Sequence, residues 1–169
     1  MDLLIDLIRE EDLRQVYSLE RICFDEEAYP PQILAFYMNL SREGFVLVRD
    51  PSNNKIIGYV IGILEKGNEE GHVISICVDP SYRRRGVGTL LMRYIENYFI
   101  RKGACISRLE VKTSNNPAIE LYKKLGYEIK GLLRSYYGDG SDAYLMVKDL
   151  CKQHSRELYF NNNYYQRII

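Results

Sequence analysis

Apolar and polar positions along this chain follow two periods, and the switches between them mark its elements. Leu3, Leu4, Ile5, Leu7 and Ile8 predict a first strand, ended by Arg9-Glu10-Glu11-Asp12. From there to about Ile22, Leu13, Val16, Tyr17 and Leu19 recur at helical spacing. Glu26-Glu27-Ala28-Tyr29-Pro30-Pro31 predicts a loop, because consecutive prolines remove backbone donors and break regular structure. Ile33, Leu34, Phe36, Tyr37 and Leu40 suit a second, short helix. Phe45 to Val48 and Ile56 to Leu64, parted by Pro51-Ser52-Asn53-Asn54, have the pattern of a hairpin. His72 to Val78 is apolar on both alternating faces, which marks a central strand covered on each side, and Asp79-Pro80 ends it.

The second half continues the pattern. Gly86 to about Lys102 predicts a helix with Val87, Leu91, Ile95 and Phe99 as its buried stripe, stopped by Gly103. Ile106 to Val111 predicts a strand carrying Glu110. Ser114 or Asn115 can cap the next helix, with Pro117 in its first turn; Ala118, Leu121, Tyr122 and Leu125 face inward, and Gly126 closes it. Tyr127 to about Ser135 and Ala143 to Val147 predict two last strands. Tyr136-Tyr137-Gly138-Asp139-Gly140-Ser141 joins them, and its Asp-Gly pair is a strong turn signal. The order β-α-α-β-β-β-α-β-α-β-β gives an α/β (α+β) fold. Residues 1–150 form one domain. Residues 151–169 form a C-terminal extension that docks through Tyr159, Phe160, Ile168 and Ile169 or stays loose.

Composition narrows the function classes. Lys+Arg and Asp+Glu each number 23, so the basic excess of a nucleic-acid binder is missing and no direct nucleic-acid partner is expected. Hydrophobic residues make up 46% and charged residues 27%, the balance of a globular chain. Cys23, Cys77, Cys105 and Cys151 include no C-x-x-C pair, and their spacing predicts neither a disulfide framework nor a zinc site; Cys77 reads as a small hydrophobe in a strand. The acidic N-terminus lacks the pattern of a signal peptide, and no apolar run approaches the roughly 20 residues of a membrane span. A soluble, cytoplasmic protein without membrane association is expected.

The turn Arg83-Arg84-Arg85-Gly86-Val87-Gly88 stands between a strand and a helix. A helix start offers unpaired N–H groups and the positive end of the dipole, glycines let the backbone approach a ligand, and arginines add cationic donors. Taken alone, the turn fits phosphate binding or a solvated basic turn with glycines for close packing. The nucleotide-triphosphatase loop and the dinucleotide pattern G-x-G-x-x-G are both absent.

With its surroundings the turn resembles the GNAT superfamily of acetyl-CoA-dependent acetyltransferases, and within it the protein N-terminal acetyltransferases, including the archaeal enzymes, the NatA catalytic subunit and the bacterial ribosomal-protein alanine acetyltransferase. G-H-V-I-S-I-C-V, Y-R-R-R-G-V-G-T-L-L, L-E-V-K-T-S-N-x-P-A-I-x-L-Y-x-K-L-G-Y, Y-Y-G-D-G-S-D-A-Y-L-M and E-x-Y-P at Glu27 to Pro30 carry the resemblance across most of residues 3–149. Lys112 stands where an arginine is more usual. The resemblance implies a central mixed, mostly antiparallel sheet of about seven strands flanked by four helices. It implies acetyl-CoA as cosubstrate and no required metal. Protein or peptide N-termini would be the substrate, with the ribosome or an auxiliary subunit as further partners.

The resemblance also assigns roles. Ile76, Cys77 and Val78 would lie beside the pantetheine arm, with a backbone N–H near Val78 polarising the thioester carbonyl. Arg83, Arg84, Arg85, Gly86, Val87, Gly88 and Thr89 would hold the pyrophosphate, and Asn115 would contact the cofactor from the next helix start. Tyr122 would touch the cofactor and protonate the departing thiolate, although its helical position also suits core packing. Tyr29, Ile33, Tyr136 and Tyr137 would frame the peptide N-terminus; in a chain with 15 tyrosines they also fit as surface residues. Glu27, His72 and Glu110 compete for the general base. Glu27 also reads as a loop carboxylate, and Glu110 as half of a salt bridge to Lys112. His72 and Glu110 on nearby strands could trap a metal ion, which acetyl transfer does not need. His154 receives no role. The alternatives are a GNAT enzyme for lysine side chains or a small-molecule amine, and a cofactor-fold binding module without catalysis.

Overall fold

Pro30 and Pro31 start the second helix. Pro30 is its extended N-cap and Pro31 its first helical residue, where a missing N–H costs no intrahelical bond. The computed structural model describes residues 3–152 apart from 66 and 68. Its elements are β1 (Leu4–Leu7), α1 (Leu13–Phe24), α2 (Pro31–Leu40), β2 (Phe45–Asp50), β3 (Lys55–Leu64), β4 (Glu70–Val78), α3 (Val87–Arg101), β5 (Ile106–Lys112), α4 (Asn116–Lys124), β6 (Glu128–Leu133) and β7 (Ala143–Asp149). One seven-stranded sheet runs in the order β1-β2-β3-β4-β5-β7-β6. Only β4 and β5 pair in parallel; the other neighbours are antiparallel. The mixed, mostly antiparallel sheet with four α-helices is the one expected. The expectations for the tail beyond 152, including His154, fall outside the described residues.

Helices cover both faces of the sheet. The predicted α3 stripe, Val87, Leu91, Ile95 and Phe99, packs on Val46, Val48, Val73, Leu109 and Val111. On the other face, Val16, Leu19 and Leu34 of α1 and α2 pack on Phe45, Leu47, Tyr59, Ile61 and Cys77. Alternate residues of β2 thus feed opposite cores, and all six residues of the strand are buried.

Two features of β4 set the shape of the sheet at its centre. Opposite β3 its register runs Ile61↔Ser75 and then Gly62↔Val73, so Ile74 is an extra residue. Such a bulge bends the strand and re-aims its side chains. Toward β5 the pairing runs from Glu70↔Ile106 to Val73↔Leu109 and stops there, although β4 continues to Val78 and β5 to Lys112. The second half of β4 therefore has a neighbour on the β3 side and an open edge toward β5.

The cysteine expectation is corrected. Cys23 is joined to Cys77 and Cys105 to Cys151, with Cα atoms 6.2 and 4.9 Å apart. Cys77 is therefore half of a cross-link between α1 and β4. The partners lie 54 and 46 residues apart in sequence, so only the fold brings them within bonding reach.

Candidate active site

At the end of β4 the chain turns through residues 79–86 into α3. Arg84 and Gly86 take left-handed conformations, with φ of 63° and 84°. A Cβ on Gly86 would meet nothing within 4 Å, so the glycine serves the backbone conformation. Gly88 differs, because a Cβ there would lie 3.1 Å from the Leu121 side chain of α4. α3 starts with no side-chain cap. The first-turn N–H groups of Val87, Gly88 and Thr89 thus sit at the positive end of a 15-residue helix, a ready anion site. Arg83 donates from Nε to the Val78 carbonyl at 3.0 Å. Arg85 lies 5.3 Å from the Tyr82 ring centroid.

Ile76, Cys77 and Val78 occupy the part of β4 beyond the last pair with β5. A strand edge without a partner offers N–H and C=O groups to an extended polar ligand. The Cys77 side chain is turned toward α1 by its disulfide, which leaves its backbone for that edge. Asn115 caps α4 and accepts from Ala118 N at 3.3 Å. Tyr122 of α4 is 5% exposed and meets Tyr127 edge-on. Burial first, and then the neighbouring Tyr137, push its phenol far above the ordinary value, so the hydroxyl stays a donor.

β5 alternates strictly. Ser107, Leu109 and Val111 are buried, while Arg108, Glu110 and Lys112 share the opposite, half-open face. On that face His72 Nε2 lies 2.6 Å from Glu110 Oε2. Arg108 Nη1 donates to Glu110 Oε1 at 2.5 Å, and Nη2 donates to Glu65 Oε1 at 2.9 Å. Arg108 Nε donates to Glu70. Burial pushes the Glu110 carboxyl up, but the hydrogen bond and charge of His72, with the Arg108 guanidinium, outweigh it and hold the group below its usual value.

The Glu110–Lys112 pair considered from sequence does not form in this arrangement. Glu110 pairs with His72 and Arg108, while Lys112 Nζ reaches Glu27 Oε2 at 2.7 Å and Asp139 Oδ2 at 2.8 Å. Of the three candidate bases the fold joins two, His72 and Glu110. Glu27 is engaged by Lys112.

Tyr29, Tyr37, Tyr136 and Tyr137 converge above this face. Ring centroids are 5.9 Å apart for Tyr29–Tyr37 and 5.1 Å for Tyr136–Tyr137. Burial, then Tyr37, Glu20, Tyr136 and Tyr137, push the Tyr29 phenol up to about 12. Burial, then Tyr136, Glu110 and Glu27, push that of Tyr137 up to about 12. Ile33 of α2 is 38% exposed. The sequence reading missed four residues here: Glu20, Glu65, Tyr37 and Arg108. Period-2 alternation places Arg108 on the face of Glu110, and helical spacing places Glu20 one turn after buried Val16, so both left a signal. Glu20 is 1% exposed, and its Oε1 accepts from Tyr29 N at 2.9 Å. Burial, partly offset by that hydrogen bond, pushes its carboxyl up to about 7.

Among the described residues, no three or more His, Cys, Asp or Glu side chains form a group able to hold a metal ion, and no helix is long and apolar enough to cross a membrane.

A family model described as Acetyltransferase (GNAT) family matches residues 11–127. An N-alpha-acetyltransferase of Sulfurisphaera tokodaii is 33% identical over 156 residues, covering 84% of this chain and 90% of its own length. The crystal structure of Ard1 from Thermoplasma volcanium matches with a TM-score of 0.82 and 28% identity, covering 88% of this chain and 98% of that one. Arabidopsis thaliana Naa50, in complex with the bisubstrate analogue CoA-Ac-MVNAL, matches with a TM-score of 0.78 and 25% identity, covering 88% and 99%. The chain belongs to the GNAT acetyltransferase family. It is an acyltransferase that takes its acetyl group from acetyl-CoA. The open β4 edge and the uncapped α3 start fit such a ligand, one with an extended amide-bearing arm and a pyrophosphate.

Proposed function

We propose that this acetyltransferase modifies the α-amino group of protein and peptide N-termini. The observation that carries the reading is the cluster of Tyr29, Tyr37, Tyr136 and Tyr137 beside the His72–Glu110 pair. The segment holding Glu27 and Tyr29 and that holding Tyr136 and Tyr137 are joined through Lys112. Two loops and an aromatic cluster suit the end of an extended chain.

Acetyl-CoA supplies an activated thioester carbonyl when bound. Val87, Gly88 and Thr89 would hold its pyrophosphate through their N–H groups, with Arg83, Arg84 and Arg85 adding charge and Asn115 reaching it from α4. Ile76, Cys77 and Val78 would align its arm, and a backbone N–H near Val78 would face the carbonyl oxygen. The incoming amine must lose its proton. An α-amine, with an ordinary pKa of about 7.7–8.0, asks less of a base than lysine at about 10.4. The His72–Glu110 pair is the acceptor in this reading, and Glu27 with Tyr29, Ile33, Tyr136 and Tyr137 positions the peptide. Tyr122 keeps its proton and hydrogen-bonds the departing sulfur. We place the reaction in the cytoplasm, where new chains present free N-termini.

The test is a peptide panel with varied first residues, each with an internal lysine, assayed with acetyl-CoA. Acetylation confined to the α-amine supports the reading. Transfer to lysine side chains or only to small amines, or no transfer at all, refutes it.

A further inference from the structure

We propose that Arg108 is a positioning residue of the acid–base site: its guanidinium fixes the two carboxylates that flank His72 and makes the imidazole the proton acceptor. The inference rests on the proposed role of His72 and Glu110 in taking the proton of the amine.

The geometry is specific. Each ring nitrogen of His72 faces a different carboxylate, Nε2 facing Glu110 Oε2 at 2.6 Å and Nδ1 facing Glu65 Oε1 at 3.4 Å. Arg108 binds both, through Nη1 to Glu110 Oε1 and through Nη2 to Glu65 Oε1, while its Nε is anchored on Glu70. A guanidinium presents its donors as a rigid fork and has no acceptor, so one side chain sets the spacing of both carboxylates.

The chemistry comes from counting protons. The 2.6 Å contact between Nε2 and Oε2 requires one proton between them. A donor already occupies Glu110 Oε1, which favours Glu110 as the carboxylate and places that proton on Nε2; Arg108 Nη1, 3.2 Å from Nε2, is then a second donor to the same carboxylate and not a donor to the ring. The lone pair of neutral His72 is then on Nδ1. When Nδ1 takes a proton from the incoming amine, the Glu65 carboxylate 3.4 Å away favours the positive charge that the ring gains. Glu110 thus orients the base, as the third group of a catalytic triad does. Tyr136 and Tyr137 face the same carboxylate from the β6–β7 segment, and both phenols are raised, so they stay neutral throughout.

Side-chain NMR of the full-length protein tests this without turnover. The chain has two histidines, so His72 can be assigned by His154→Gln, and Glu110 by Glu110→Gln. In the wild type, neutral His72 is expected as the Nε2–H tautomer, and the Glu110 carboxyl carbon titrates below the ordinary glutamate range. In Arg108→Met the Glu110 midpoint should rise by about one pH unit, and the tautomer signals should become mixed. Arg108→Lys, which restores the charge without the fork, should return most of the midpoint shift and keep the mixed tautomer. With a peptide substrate, Arg108→Met should lower kcat roughly tenfold while the KM for acetyl-CoA holds. A Glu110 midpoint or a His72 tautomer unchanged in Arg108→Met overturns the inference. If the wild type acetylates no peptide, the proposed function fails, yet the spectra still decide the role of Arg108.

Discussion

Lys112 Nζ lies 2.7 Å from Glu27 Oε2 and 2.8 Å from Asp139 Oδ2, so one cation on β5 ties together the segments that carry Tyr29 and Tyr137. Both pairs are partly exposed, and each is worth little to stability. Their effect is geometric, since they set the gap between the Tyr29 and Tyr137 sides. Lys112→Met should raise the peptide KM roughly two- to fivefold and leave the KM for acetyl-CoA unchanged. Steady-state kinetics with each substrate varied in turn checks this; a change confined to acetyl-CoA would contradict it.

Tyr122 is buried and its phenol is held protonated. Tyr122→Phe removes only the hydroxyl and keeps the packing against Tyr127. Turnover should fall by roughly 10², with acetyl-CoA affinity, measured calorimetrically, nearly unchanged. An unaltered kcat would remove the hydroxyl from the mechanism.

Glu20 carries a pH signature in stability. Its folded pKa is about 7, above the ordinary value of 4.5. Between those values the folded state holds a proton that the unfolded chain has released, so stability falls as pH rises through this window. The loss attributable to Glu20 is on the order of 3 kcal/mol, complete above pH 7. Glu20→Gln keeps an oxygen to accept from Tyr29 N and removes the titration. Denaturant unfolding at pH 5 and pH 8 should show the variant losing less stability than the wild type. Equal losses in both proteins would count against a raised Glu20.

The disulfides Cys23–Cys77 and Cys105–Cys151 close loops of 54 and 46 residues' separation. Chain-entropy arguments give about 4 kcal/mol for each. Thiol titration of the denatured, unreduced protein should find no free thiol, and reduction should lower Tm. Four titratable thiols before reduction would rule the cross-links out.

Much of the fold was legible in the sequence because it rests on local rules. The α3 stripe, the β2–β3 hairpin and the β5 alternation are periodic patterns, and each periodic element appeared. Pro30-Pro31 was legible only in part: a proline pair breaks a helix interior but also suits a helix start, and the pattern alone did not say which. The cysteines were misread because spacing carries no information about which strands become neighbours. Arg108 was overlooked because an exposed-face arginine in a strand looks like any solvated charge until its partners are known.

The sequence by itself determined the element order, the Arg/Gly turn between β4 and α3, and the residue types available for acid–base chemistry, since these depend on neighbours within a few positions. Tertiary structure alone decided which of them meet. His72 reaches Glu110 across 38 residues and Arg108 reaches Glu65 across 43. The β4–β5 pairing that ends at Leu109 opens the gap beside them. Strand register and the β4 bulge fix those contacts, and the energy that selects them is spread over two cores on opposite faces of one sheet.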